Sequence, residues 1–177
     1  MKHVFKELNT LKIFLEEPAR KFNVREVARL LKITPATASK QLKYFAKKGV
    51  LKYEKERIFD LYSADIESTT YRDLKLYYNI TKIRNSGILE ALDKFYLKPT
   101  VIFFGSGTTG HDTKNSDFDF VVISENKKDF PRKAEFEKKM QRTLQIFAVA
   151  NLNDLKNEHL INNALSGILL QGEIRWI

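Results

Sequence analysis

Val4, Leu8, Leu11 and Leu15 recur at helical spacing and Pro18 follows, which predicts a first helix of about 13 residues. Asn23 is placed to cap a second helix, Val24 to Leu31, whose Val27, Leu30 and Leu31 are expected to face a core. In Lys32-Ile33-Thr34-Pro35, a threonine N-cap precedes a proline at the first helical position, and this starts a third helix. That helix is expected to run to Lys48 and stop at Gly49, with Ala38, Leu42 and Phe45 on its apolar face. Residues 50–53 and 58–62 then read as two short strands, joined by a loop of Glu54, Lys55, Glu56 and Arg57.

Residues 64–97 contain no Gly or Pro except Gly87 and read as helix throughout. Ile66, Thr70, Leu74, Tyr77 and Thr81 trace one face, Ser86-Gly87 is a break, and Ile88, Leu89, Leu92, Phe95 and Tyr96 trace a second helix. Tyr71, Tyr77 and Tyr78 suit a packing surface between domains or subunits. After Lys98-Pro99, residues 100–104 form a continuous apolar run with branched and aromatic side chains, the pattern of a buried strand. A second strand opens at Asp117, a charged helix covers residues 131–142, and a third strand covers 144–149. A helix over 158–165, an apolar run at 168–170, a Gln171-Gly172 turn and an apolar end at 174–177 complete the pattern. The expected fold class is α+β. One domain covers 1–63, and a mixed α/β domain covers 98–177. Between them lies a helical connector over 64–97, whose second helix is expected to belong to the C-terminal domain.

Composition narrows the function classes. With 43% hydrophobic and 30% charged residues the chain reads as a globular protein, and cytoplasmic placement is the expectation. No apolar run approaches the roughly 20 residues that span a bilayer, so no membrane partner is expected. The absence of cysteine removes disulfides, thiolate zinc sites and cysteine nucleophiles together, and the three histidines are scattered without ligand spacing. The net charge of +9 is uneven. Residues 1–63 hold 15 Lys and Arg against 7 Asp and Glu, whereas residues 64–177 hold 16 against 15. Excess positive charge at one end suits a polyanionic partner, double-stranded DNA first.

Thr34, Thr37, Ser39, Lys40, Gln41, Lys43 and Lys47 of the third helix, and Lys55 and Arg57 of the hairpin loop, are the candidate DNA-contacting residues. Their side chains donate hydrogen bonds or positive charge to phosphates and base edges. Three helices followed by a hairpin with a basic tip resemble a winged helix-turn-helix, as in small bacterial and archaeal transcription regulators. The resemblance covers residues 1–63 and is carried by REVARLLKITPATASKQLKYFAKKGVLKY. It implies major-groove binding and a homodimer; a winged helix used only for protein contact is the competing reading.

The chemistry lies in GSGTTGHDTKNSDFDFVVIS, residues 105–124. Gly105-Ser106 ends the buried strand. Glycine there allows close approach to a phosphate, and the serine hydroxyl and free amides can donate to it. Strand alternation puts Asp117 and Asp119 on one side and Phe118 and Phe120 on the other. Two carboxylates on one face suit Mg²⁺ carrying a triphosphate better than a core. Gly-Ser, ten residues, then Asp-x-Asp resembles the nucleotidyltransferase superfamily, and the serine before Asp117 is most similar to its minimal members, over residues 86–177.

By that resemblance Gly105 and Ser106 hold the triphosphate, Asp117 and Asp119 ligand magnesium, and Ser106, Asp117 and Asp119 form the catalytic set. Lys114 either touches phosphate or lies solvated in the loop. The family's third carboxylate matches Gln145, and no Asp or Glu lies between Glu137 and Asp154. Glutamine cannot serve as a general base near neutral pH. Two readings stay open. An active enzyme would move a nucleoside monophosphate from an NTP, ATP first, to an acceptor hydroxyl; the family resemblance alone implies a protein acceptor such as a small helical toxin. A degenerate domain would serve a transcription regulator as nucleotide sensor or dimer scaffold.

Overall fold

A computed structural model describes residues 2–174. The side chains of Val4 and Leu8, and the expected apolar end at residues 175–177, lie outside the described residues. The chain divides into two compact units, one ending at Lys75 and one beginning at Leu76.

The first unit runs α1 (Lys2–Glu16), β1 (Phe22–Asn23), α2 (Val24–Leu31), α3 (Pro35–Lys47), β2 (Leu51–Glu56) and β3 (Phe59–Ala64). Local chemistry sets the helix starts. Asn23 accepts a hydrogen bond from the Glu26 amide, and Thr34 accepts one from the Thr37 amide, with Pro35 opening α3. Leu11, Phe14 and Leu15 pack with Val27, Ala28, Ala38, Leu42 and Phe45 as the buried core. Each large apolar side chain buried in this way contributes about 1.5–3 kcal/mol. Leu30, expected inside, is half exposed; Ala28 takes the inward position instead, where a small side chain suits the contact between α2 and α3.

The hairpin strands are longer than expected. Glu54, Lys55 and Glu56 belong to β2, and the connection is only Arg57-Ile58, with Arg57 left-handed at φ +54°. Beyond Leu51 all of β2 is exposed, so no apolar alternation marks it. Cross-strand pairing extends it instead, with Tyr53 donating to Asp60 at 2.8 Å. The two-residue β1 pairs with β3 through Phe22 and Tyr62, giving the sheet order β1-β3-β2, and is too short for periodicity to reveal.

α4 (Thr69–Ser86) begins in the first unit and ends in the second. Its buried residues are Tyr71, Lys75, Asn79, Ile83 and Ser86, not the expected Ile66, Thr70, Leu74, Tyr77 and Thr81. Ile66 precedes the helix, and Tyr77 is exposed. The inward stripe carries polar side chains because backbone carbonyls meet them. The Tyr71 hydroxyl donates to the Phe14 carbonyl at 3.2 Å, and Lys75 Nζ donates to the Leu15 carbonyl.

The second unit continues with α5 (Ile88–Tyr96), β4 (Thr100–Phe104), α6 (Ser106–Thr109), β5 (Phe118–Ile123), α7 (Lys133–Met140) and β6 (Leu144–Val149). A 3₁₀ turn (Leu152–Leu155), α8 (Glu158–Leu165) and β7 (Ile168–Gln171) come after these. The sheet order is β6-β5-β4-β7, with β5 and β6 parallel and the other pairs antiparallel. The architecture is mixed α+β, with eight α-helices and two sheets among the described residues. One sheet face packs Val101, Phe103, Phe118, Phe120 and Val122 against Ile88, Leu92, Tyr96, Phe136 and Met140. The other packs Ile102, Phe104, Val121 and Val149 with Ala164 of α8. No described helix is long and apolar enough to cross a membrane.

Candidate functional site

β4 and β5 are adjacent antiparallel strands, with Phe104 opposite Asp119. This pairing brings the Gly105-Ser106 turn back beside the carboxylates at the start of β5. Asp117 lies just before the strand and Asp119 within it, while Phe118 and Phe120 point into the core, so alternation keeps both carboxylates off the apolar face. Gly105 holds φ +81° and ψ −159°, a conformation essentially reserved for glycine. A Cβ built there would stand 2.4 Å from Asp119 Oδ2. Glycine thus serves two needs: a backbone angle other residues avoid, and the space in which the Asp119 carboxylate sits.

Gly105→Ala is accordingly expected to introduce about 1–3 kcal/mol of backbone strain, lowering Tm by about 2–12 °C. It should also push the Asp119 carboxylate aside. Thermal denaturation beside nucleotide titration checks both; an alanine variant matching wild type in each would contradict the close approach.

Ser106 is exposed at the first position of the four-residue α6. Thr108 donates to the Gly105 carbonyl at 2.8 Å and Thr109 to the Ser106 carbonyl at 3.1 Å, closing the turn tightly. Half-burial raises the Asp119 pKa, and the neighbouring negative charge of Asp117 adds to the rise. Gln145, on β6 and in register with Asp119, donates from Nε2 to Asp117 Oδ2 at 2.6 Å. Among the described residues no group of three or more Asp, Glu, His or Cys gathers at one point. The donor set at this end of the central strands is two carboxylates, one amide and one hydroxyl.

These residues fit Mg²⁺. Hard oxygen ligands, two carboxylates that repel one another, and the glycine cradle beside Asp119 suit a cation that completes its shell with water and phosphate oxygens. Lys114 is exposed in the loop, and its backbone carbonyl accepts from Arg142 Nη1 at 2.9 Å. Asp154, beyond the strand, accepts from Lys127 Nζ at 2.9 Å and from the Ala150 amide, and the Lys127 bond holds its pKa low. It belongs to the turn after β6.

Three residues at this site escape the sequence pattern: Asn79, Asp112 and Arg142. All are buried, and they bind one another and the 105–117 loop. Helical spacing from Tyr71 and Lys75 points to Asn79, but its polarity argues for the opposite face.

In the first unit Thr37, Lys40, Lys43 and Lys47 are exposed on α3, away from buried Ala38, Leu42 and Phe45. Thr34 and Thr37 also share a hydroxyl contact of 2.9 Å at the helix start. Ser39 and Gln41 are half-buried, and the Gln41 oxygen accepts from buried Thr10 at 2.7 Å. Gln41 is thus committed inward rather than displayed with the lysines. Lys55 and Arg57 are exposed on the hairpin. Glu54 and Glu56 are both bound by Lys21, at 2.6 and 2.9 Å, and these bonds raise the Lys21 pKa. A single neighbouring cation thus offsets part of the charge of the two hairpin glutamates.

Residues 88–173 match the family model for polymerase beta, nucleotidyltransferase. The C-terminal part of the chain is thus a nucleotidyltransferase-like domain. No curated protein matches the chain. Among solved structures, a Methanosarcina mazei Go1 protein called a "possible transcriptional regulator" aligns with 51% of this chain and 77% of its own, at 20% identity and a TM-score of 0.35.

Proposed function

We propose that the nucleotidyltransferase-like domain binds a magnesium nucleoside triphosphate, ATP first, and transfers its nucleotide slowly or not at all. We further propose that the first unit is a winged helix-turn-helix binding double-stranded DNA, so that the protein is a DNA-binding regulator with a nucleotide-sensing domain. The observation that carries the first part is the Gln145 amide, 2.6 Å from Asp117, where a third carboxylate would receive the acceptor's proton. Gly105 and Ser106 would hold the triphosphate, with Asp117 and Asp119 holding Mg²⁺. When bound, the cation offsets phosphate charge. The chain's own groups then orient the nucleotide but offer no base at the Gln145 position, because an amide is uncharged and does not take up a proton near neutral pH.

The test incubates the full chain with α-labelled ATP and Mg²⁺, with and without a protein acceptor, while calorimetry follows binding. Nucleotide binding without label transfer is expected. Rapid transfer that disappears on Asp117→Asn with Asp119→Asn would instead establish an active transferase.

For the first unit, the support is the exposed row Lys40, Lys43 and Lys47 on a helix whose opposite face is core, together with the positive balance of residues 1–63. Lys40→Ala with Lys43→Ala is expected to weaken duplex binding at every sequence and to flatten the salt dependence. The log–log slope should fall by about 0.9 for each phosphate that the protein no longer neutralises. Salt titrations of fluorescent duplex binding check this. An unchanged slope would remove α3 as the contacting element.

A further inference from the structure

Ser106 and Asp117 stand at the two ends of a loop that leaves the sheet entirely between Phe104 and Phe118 and has three glycines. Hydrogen bonding between β4 and β5 aligns the strands but does not set the course of residues 107–116. Three buried polar side chains from three places in the second unit hold it. Asn79 of α4 uses its Nδ2 group twice, donating to the Gly107 carbonyl at 2.9 Å and to Asp112 Oδ1 at 2.7 Å. Both partners are acceptors, so the amide orientation is dictated by chemistry. Asp112 Oδ2 lies 3.7 Å from Arg142 Nη2, with both side chains wholly buried. Arg142, two residues before β6, donates from Nη1 to the Lys114 carbonyl at 2.9 Å and lays its guanidinium over Phe118, 5.6 Å from the ring centre.

The chain therefore fastens its loop at Gly107, Asp112 and Lys114, and rests a cation on the phenylalanine between the two candidate metal ligands. Burying an aspartate and an arginine is costly unless each is met by charge and hydrogen bonds, and removing one partner is worse than removing both. An Arg142 side chain without solvent exposure cannot itself reach a nucleotide. It acts through the groups it holds.

We propose that Asn79, Asp112 and Arg142 are positioning residues that set the placement of Asp117 and Asp119 relative to Gly105-Ser106, and so tune magnesium-nucleotide affinity without touching the ligand. The assignment rests on the proposed nucleotide binding at that site. Residues that orient metal ligands from behind typically change metal affinity about 10–100-fold when altered, and that range is expected here.

The experiment measures Mg²⁺·ATP affinity, and ATP affinity in EDTA, by calorimetry on the full chain. Wild type is compared with Asn79→Ala, Arg142→Lys and Asp117→Asn with Asp119→Asn. Arg142→Lys keeps the charge facing Asp112 but loses the fork that also reaches Lys114. Asn79→Ala and Arg142→Lys are each expected to lower the Mg²⁺-dependent gain in affinity about 10–100-fold, with cooperative melting retained. A merely structural role would change the melting temperature and leave that gain intact, and this result would overturn the assignment.

Amide hydrogen exchange of the wild type without nucleotide gives a readout independent of any variant. Residues 107–117 should be protected; exchange at the rate of open chain would also overturn it. Wild type that binds no nucleotide, or a double aspartate variant that binds as wild type does, would sink the nucleotide reading and the assignment resting on it. Intact wild-type binding with unaffected positioning variants would sink the assignment alone.

Discussion

Gln145→Glu is expected to raise nucleotide transfer by about 10²–10⁴-fold, the range a positioned general base contributes. The reason is placement. Gln145 is in register with Asp119, and its Nε2 already lies 2.6 Å from Asp117 Oδ2, so glutamate places a carboxylate oxygen there with little change in shape. The same substitution replaces a hydrogen bond with a repulsion. Without a cation, two carboxylates at that distance raise the proton affinity of the pair above its value in the unfolded chain. The protonated pair keeps its stability at low pH, and stability is lost as pH rises through the raised folded value. Relative to wild type, the variant should therefore melt lower at neutral pH in EDTA and recover on acidification or on adding Mg²⁺. Label transfer from α-labelled ATP, to water or to a protein acceptor, measures the gain. A variant that still binds Mg²⁺·ATP but transfers no faster than wild type would show that the missing base is not the limit on this domain.

Asp117→Asn with Asp119→Asn is expected to reduce Mg²⁺-dependent ATP affinity by at least about 100-fold. Residues supporting a ligand from behind already cost up to that much, and these two would be the ligands themselves. Burial and the charge of Asp117 both disfavour ionised Asp119, an electrostatic cost that a bound cation reverses. The double amide removes the mutual repulsion, so the fold should survive or gain slightly while the metal-dependent affinity disappears. Calorimetry with Mg²⁺·ATP, and again in EDTA, separates the two. Equal Mg²⁺-dependent affinity in variant and wild type would falsify the assignment of these carboxylates.

Much of this is legible in the residue order. Thr34-Pro35 marks the start of α3, Asn23 caps α2, and the aromatic and branched run over 100–104 becomes a buried strand. Glycine-serine after that strand, and alternating carboxylates and phenylalanines at 117–120, mark a candidate site, and the β4–β5 pairing brings its two halves together. These features succeed because each depends on neighbours a few residues away: a cap on its first turn, a strand on period-two alternation. The hairpin reads too short from sequence because the outer part of β2 buries nothing. The inner face of α4 is misread because its buried stripe includes Tyr71, Lys75 and Asn79.

The sequence by itself determined the α+β class and most of the element order, short of the two-residue β1 and the four-residue α6, together with the uneven charge, the Gly105-Ser106 motif and the paired carboxylates. Gln145 matches the family's third carboxylate by resemblance, and the β5–β6 register sets its amide against Asp117. Tertiary structure alone decided which polar residues go inside. Lys75, Asn79, Asp112 and Arg142 are buried only because carbonyls and counter-charges distant in sequence meet them. A buried polar group is tolerable through its partners, and partners from separate elements exist only once those elements have packed.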